Sequence, residues 1–201
     1  MRTNGMRPRH AMMQFVPAAT LLLLTGSPGC GKTTVAPLVA DRHDPSACLD
    51  LDWFFAKLRR GAIEPWRREA HRQNRVVLYA AAEAVAAFAA GGYFTVAEGI
   101  LHPFMLDLFA TAGARYDIAL HYTVLRAPIE LVQQRVQDRR SEPQHAGALA
   151  DPAVVGDLWA QFEQHGVEAR HRLDVGRHSP DQVAEEIDRR FAAGEFQVES
   201  S

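Results

Sequence analysis

The chain has 201 residues, 47% of them hydrophobic and 23% charged, with a formal net charge of −2. That length supports one full core with a small lid and no second domain. The near-neutral charge excludes the electrostatic footprint of a nucleic-acid or anionic-membrane binder, and two cysteines exclude a disulfide framework or a cysteine metal centre.

At the start of the chain, Arg2, Arg7 and Arg9 precede a mostly apolar stretch, residues 11–24, that imitates a secretory signal. Pro17 interrupts it, and cleavage after it would remove the strand that follows. Residues 1–17 are therefore read as a disordered leader and the protein as cytoplasmic. No apolar segment is long enough to span a membrane.

The run Thr20-Leu21-Leu22-Leu23-Leu24 reads as a buried strand. It leads into Gly26, Ser27, Pro28, Gly29, Cys30, Gly31, Lys32, Thr33 and Thr34, which match the phosphate-binding pattern G-x-x-x-x-G-K-T. Helix over residues 32–42 follows, and its proline-containing exit at Pro45 stops it. Strand, glycine turn and helix are the context the motif requires. Glycines let backbone N–H groups converge on phosphate oxygens, and the helix start adds its positive end. Lys32 would reach the β- and γ-phosphates, and the Thr33 hydroxyl would bind Mg²⁺. The pattern implies that the chain binds a nucleoside triphosphate. Cys30 is read as one of several small residues that suit the loop, and Cys48 as buried in the next strand.

That second strand, residues 46–50, ends in Leu49-Asp50-Leu51-Asp52-Trp53. Carboxylates two residues apart at a strand end point to one side, on the sheet edge that carries the phosphate loop. A solvated turn with a helix cap is the competing reading, and the position beside the loop favours function. A short amphipathic piece follows at residues 54–58, then a long helix over residues 66–90. Arg67, Arg68, His71, Arg72 and Arg75 occupy the first half of that helix, and its second half is nearly all apolar. Residues 93–99 form the third strand, whose end carries Glu98, a position that orients Mg²⁺ water in phosphate-loop enzymes. His102 lies in the loop beyond it, as a substrate contact or a plain surface residue.

A fourth strand over residues 118–125 leads through Pro128 into a helix over residues 129–140, where Arg135 and Arg139 share one face. Residues 141–150 are polar and irregular. Asp151 and Pro152 then start a helix to residue 165, and the span 135–165 is where a mobile lid would sit. Residues 170–175 make the fifth strand and residues 180–193 the last helix, with a frayed tail after Gly194. Alternation of strands and helices makes the class α/β, a parallel doubly wound sheet in three layers.

Four features together resemble the small phosphate-loop kinases that include adenylylsulfate, gluconate and shikimate kinases. They are the stretch 26–34, Asp50-x-Asp52, the strand ending Val96-Ala97-Glu98-Gly99, and Leu125-Arg126-Ala127-Pro128 leading to Arg135-x-x-x-Arg139. The pattern is most similar to the branch with chloramphenicol phosphotransferase and related antibiotic or sugar kinases. Gly99 to Pro103 also resembles a stretch of the tunicamycin-resistance proteins. The resemblance implies five strands in the order 2-3-1-4-5 with a helical lid. It implies that Asp52 contacts the acceptor hydroxyl and serves as base, with Trp53, Glu98 and His102 beside the acceptor. Asp50 would hold Mg²⁺ water or orient the loop, Arg135 and Arg139 would close on the nucleotide, and Arg177 and His178 would cradle adenine.

The leading expectation is an ATP- and Mg²⁺-dependent phosphotransferase acting on a hydroxyl of an antibiotic, sugar or metabolite. A nucleoside-monophosphate kinase is a second reading, with arginines between 59 and 75 on the acceptor phosphate. Against it, Asp50 and Asp52 would repel an anion unless Mg²⁺ intervenes. A toxin-like or regulatory ATP-binding module is a third. The residues leave the acceptor and the oligomeric state open.

Overall fold

The computed structural model describes residues 19–140, 149, 151–164 and 166–199. The leader at residues 1–17 and most of the expected lid connection, residues 141–148 and 150, lie outside the described residues.

Five parallel strands form one sheet: β1 (Thr20–Gly26), β2 (Ser46–Asp50), β3 (Phe94–Gly99), β4 (Ala119–Arg126) and β5 (Arg172–Asp174). Their order is β2-β3-β1-β4-β5, as the resemblance implied. The helices are α1 (Lys32–Ala40), α2 (Asp52–Phe55), α3 (His71–Ala90), α4 (Leu106–Ala114), α5 (Ile129–Arg140), α6 (Pro152–Gln164) and α7 (Pro180–Ala192).

The leucine run of β1 is central and covered on both faces. Leu22 and Leu24 pack with Val35 and Val39 of α1 and Val183 and Ile187 of α7. Leu21 and Leu23 face Leu78 and Val85 of α3 and Phe109 of α4. Alternate residues of one strand thus seed both halves of the core. The alanine-rich part of α3 serves the same end: Ala81, Ala82, Ala86 and Ala89 are fully buried, and small side chains let the helix lie close to the sheet.

Register fixes which residues share the sheet edge that carries the phosphate loop. Leu24 lies beside Glu98, and Glu98 beside Asp50. The phosphate loop therefore begins within two residues of the level at which both acids leave the sheet.

Several expectations need correction. Cys48 is exposed, because β2 is the outer strand. The long helix starts at His71: residues 68–70 make a 3₁₀ turn, and the side chain of Gln73 bonds both backbone groups of Ile63, folding the preceding loop onto the helix. β5 begins at Arg172, after a 3₁₀ turn at residues 169–171. Residues 195–199, expected to fray, dock on the sheet instead. Phe196 is fully buried, with the Arg190 guanidinium over its ring. Its carbonyl accepts from the Tyr122 N–H at 2.8 Å, and the Val198 N–H donates to Leu120 at 2.9 Å. Short β5 pairs only with the last residues of β4, so the tail satisfies the backbone that β5 leaves open.

Candidate active site

The phosphate loop joins β1 to α1. Gly26 has φ 144°, and a β-carbon there would lie 2.7 Å from Cys30 Sγ and closer still to the Leu125 carbonyl oxygen. Gly31 caps α1 at φ 104°, a left-handed conformation that suits glycine. Lys32 is buried, and its ammonium donates to the carbonyls of Gly26 at 3.0 Å and Ser27 at 3.1 Å. The cation therefore lies back across the loop that the motif builds. Thr33 and Thr34 are exposed at the helix start.

Three carboxylates face this loop. Glu98 is 4% exposed at the end of β3. Burial pushes its carboxyl pKa up; Lys32 and a hydrogen bond with the Thr33 side chain pull it down, and Asp50 and Asp52 push it up again. Asp52, the first residue of α2, reaches solvent yet is crowded by the surrounding protein. Burial raises its pKa as well, Lys32 opposes the rise and Asp50 adds to it. Both acids thus sense Lys32, so one cation and a set of mutually repelling carboxylates make a single electrostatic unit around Thr33. A carboxylate whose proton affinity is raised toward neutrality is suited to take a proton from an acceptor hydroxyl.

Asp50 has a different local task. Its Oδ1 accepts the N–H of Asp52 at 2.7 Å, which fixes the turn into α2. The turn reading accounts for this contact: the first acid holds the backbone of the second.

No cluster of three metal-ligating side chains occurs among the described residues. The donors present are hard oxygens, the Thr33 hydroxyl and the carboxylates of Glu98 and Asp50. Such a set fits Mg²⁺, which keeps water and phosphate oxygens in its shell and takes one or two protein ligands.

Arg135 lies over the loop, its Nη1 3.4 Å from the Gly29 carbonyl and 3.5 Å from that of Cys30. Arg139 stands one turn further along α5. Both line a cavity of about 260 Å³ whose other walls are Gly29 to Gly31, Thr34 and Val35, with Val175 and His178 ahead of α7 and Pro180 and Val183 within it. His178 lines this cavity, whereas Arg177 is exposed and does not. A larger hollow, about 670 Å³, lies between β5 and α7 beside Arg172 and Arg189. It lacks the phosphate loop, which the smaller cavity has in its walls; Asp50, Asp52 and Glu98 line neither of the two.

Of the residues expected beside an acceptor, Trp53 is 55% exposed, edge-on to Phe54, with Lys57 Nζ 3.9 Å from its ring centre. His102 is buried, stacked on Phe104 at 5.5 Å and on Phe162 of α6 at 4.5 Å. Among the arginines ahead of α3, Arg67 is paired with Glu64 and Glu69.

Two supports of the site escaped the reading of the sequence. Thr25 and Tyr122 hold the backbone of Leu101. The expected lid helix α6 is tied to the exit of β4 by the Arg126–Glu163 ion pair and by the Trp159 indole, which donates to Ala127 at 2.9 Å. Thr25 offered a weak signal, as the polar residue that closes an otherwise apolar strand.

The family model described as AAA domain matches residues 21–171, from the first leucine of β1 to the entry of β5. The chain belongs to this AAA domain family. A search of curated proteins returned no match. Among solved structures, this AAA domain protein is similar to an unliganded sugar kinase from Janibacter sp. HTCC2649, at 22% identity and a TM-score of 0.63, over 88% of this chain and 95% of that one. The tunicamycin resistance protein of Deinococcus radiodurans aligns at 16% identity and a TM-score of 0.61, over 90% and 99%. The APS kinase of Mycobacterium tuberculosis, in complex with AMPPNP and APS, aligns at 18% identity and 0.59, over 88% and 99%. At these identities the likeness is one of fold, that of the small phosphate-loop kinases. Among the described residues no helix is long and apolar enough to cross a membrane.

Proposed function

We propose that this AAA domain protein is an ATP-dependent phosphotransferase that moves a γ-phosphoryl group to a hydroxyl of a small molecule. The observation that carries the reading is the electrostatic coupling of Lys32 to both Asp52 and Glu98 at the mouth of the phosphate loop. Phosphoryl transfer asks a protein mainly for positioning and charge neutralisation. Here Lys32 and Arg135 neutralise charge on the donor side, and Arg139 and His178 border the cavity that suits the nucleotide base. Asp52 would align the acceptor hydroxyl and receive its proton, with its backbone fixed by Asp50. Thr33, Glu98 and Asp50 would hold Mg²⁺, which when bound supplies charge neutralisation at the phosphates. The Mycobacterium APS kinase, crystallised with AMPPNP, lends the nucleotide assignment support through shared fold. An antibiotic, a sugar or another hydroxylated metabolite fits the acceptor reading.

The test is an ADP-release screen across hydroxylated antibiotics, sugars and nucleosides, with product confirmed by a mass gain of one phosphate. Lys32→Ala should cut turnover at least ~100-fold. Asp52→Asn should lower kcat ~10²–10⁴-fold with little change in ATP affinity. If no compound in the panel raises ADP release above the basal rate, or if Asp52→Asn turns over normally, the proposal fails.

A further inference from the structure

We infer that Thr25 and Tyr122 are positioning residues that hold the acceptor-side loop at a fixed register to the phosphate loop. The inference deepens the phosphotransfer reading and rests on it for the catalytic consequence, though not for the contact itself.

β3 ends at Gly99, so Leu101 has left the sheet ladder while remaining fully buried. Its peptide groups need partners there, and side chains supply them. Thr25 Oγ1 accepts the Leu101 N–H at 2.8 Å and donates to the Leu101 carbonyl at 3.1 Å. The Tyr122 hydroxyl donates to that same carbonyl at 2.9 Å. Thr25 is fully buried and Tyr122 is 2% exposed, so water does not compete for these bonds.

The connectivity gives the contact its meaning. Thr25 is bonded to Gly26, where the phosphate loop begins. Leu101 is bonded to His102, whose ring stacks on Phe162 of α6 and on Phe104. One threonine therefore couples the donor loop to the acceptor-side segment, and through His102 to the helix that covers it. Valine would fill the same volume and suit a strand at least as well. The hydroxyl is what the site uses. In-line transfer tolerates little misplacement between donor and acceptor, about 1 Å for 10²-fold in rate.

The experiment uses the full chain with Thr25→Val, Thr25→Ser and Tyr122→Phe. Amide hydrogen exchange should rise at least ~10-fold at Leu101 and His102 in Thr25→Val. It should stay within ~3-fold of wild type in Thr25→Ser and rise less in Tyr122→Phe, where Thr25 still serves the carbonyl. With an accepted substrate, Thr25→Val should lose ~10–100-fold in acceptor kcat/KM while its affinity for an ATP analogue moves less than ~3-fold, and Thr25→Ser should recover the loss. Unchanged exchange at residues 101 and 102 in Thr25→Val overturns the inference. So does a rise spread evenly over β1, β3 and β4, which would mark simple destabilisation. If wild type phosphorylates no compound, the phosphotransfer reading falls and the exchange result alone decides whether the two loops are joined as inferred.

Discussion

Alanine at Gly26 and at Gly31 should separate two ways in which one loop can fail. Both glycines have positive φ, at 144° and 104°, so each alanine carries a torsional penalty of about 1–3 kcal/mol. Their surroundings differ. At Gly26 the new methyl meets Cys30 Sγ at 2.7 Å and the Leu125 carbonyl at closer range. That carbonyl belongs to β4 at the position registered with Gly26, so it cannot retreat without opening the ladder. Overpacking adds about 1–3 kcal/mol, giving a total of about 2–6 kcal/mol for Gly26→Ala. At Gly31 the nearest neighbour is Arg135 Nη1 at 3.9 Å, an ordinary contact. Gly31→Ala should therefore lose only the torsional part in stability while placing a methyl group beside the arginine that overlies the loop. Urea unfolding followed by circular dichroism reads the first quantity, and titration with a fluorescent ATP analogue reads the second. Gly26→Ala should unfold at least ~1 M earlier, and Gly31→Ala should stay folded with nucleotide affinity down roughly tenfold or more. Equal destabilisation by the two changes would refute the steric argument, and tight nucleotide binding by Gly31→Ala would refute the placement of the phosphates.

Glu98→Gln should raise thermal stability by about 3 °C at pH 8. Because burial raises the folded pKa of Glu98, its ionisation costs the folded state stability as pH rises through that pKa; the gain should shrink as pH falls toward the ordinary carboxylate range, and a gap that widens in acid would contradict the argument. His121 is buried against Phe191, and burial first, then the neighbouring His171, lowers its pKa to about 4. A neutral imidazole folded and a protonated one unfolded means stability that is intact above the ordinary value of 6.5 and lost as pH falls from there to about 4. Melting curves across that window should be flatter for His121→Leu than for wild type, and parallel curves would count against it. Phe196→Ala empties a fully buried site at the docked tail and should cost about 3–5 kcal/mol in a urea titration. A loss under 1 kcal/mol would mean the tail contributes little to the core.

What the sequence revealed, and what it withheld, follows from the range of the forces involved. The phosphate loop was legible because its glycines, lysine and threonine are local requirements of a single turn. Asp50, Asp52 and Glu98 could be set on one edge because parallel strands that end in acids must end on the side where the loop sits. The arginines of α5 came from helical spacing and from resemblance. Cys48 was misplaced since a strand's pattern does not say whether it lies at the centre of the sheet or outside. Thr25 was passed over because its partner is the backbone of a residue 76 positions away, and a backbone group has no letter in the sequence. The docked tail was missed for the same reason: the vacancy it fills is created by the shortness of β5, which only the assembled sheet shows.

The exposed thiol on β2 acquires an unusual chemistry from the acids nearby. Partial burial of its sulfur, with Glu98, Asp50 and Asp41 around it, pushes the Cys48 pKa up to about 11. At neutral pH about one molecule in 10⁴ then carries the thiolate, some hundredfold fewer than for a free cysteine. Disulfide exchange proceeds through the thiolate, so an open sheet edge with a surface cysteine resists oxidative cross-linking between copies. The same repulsion should leave Cys48 slow toward maleimides and iodoacetamide at pH 7 and reactive only in alkali. Partial burial and the neighbouring carboxylates thereby act together as a redox shield for the outermost strand.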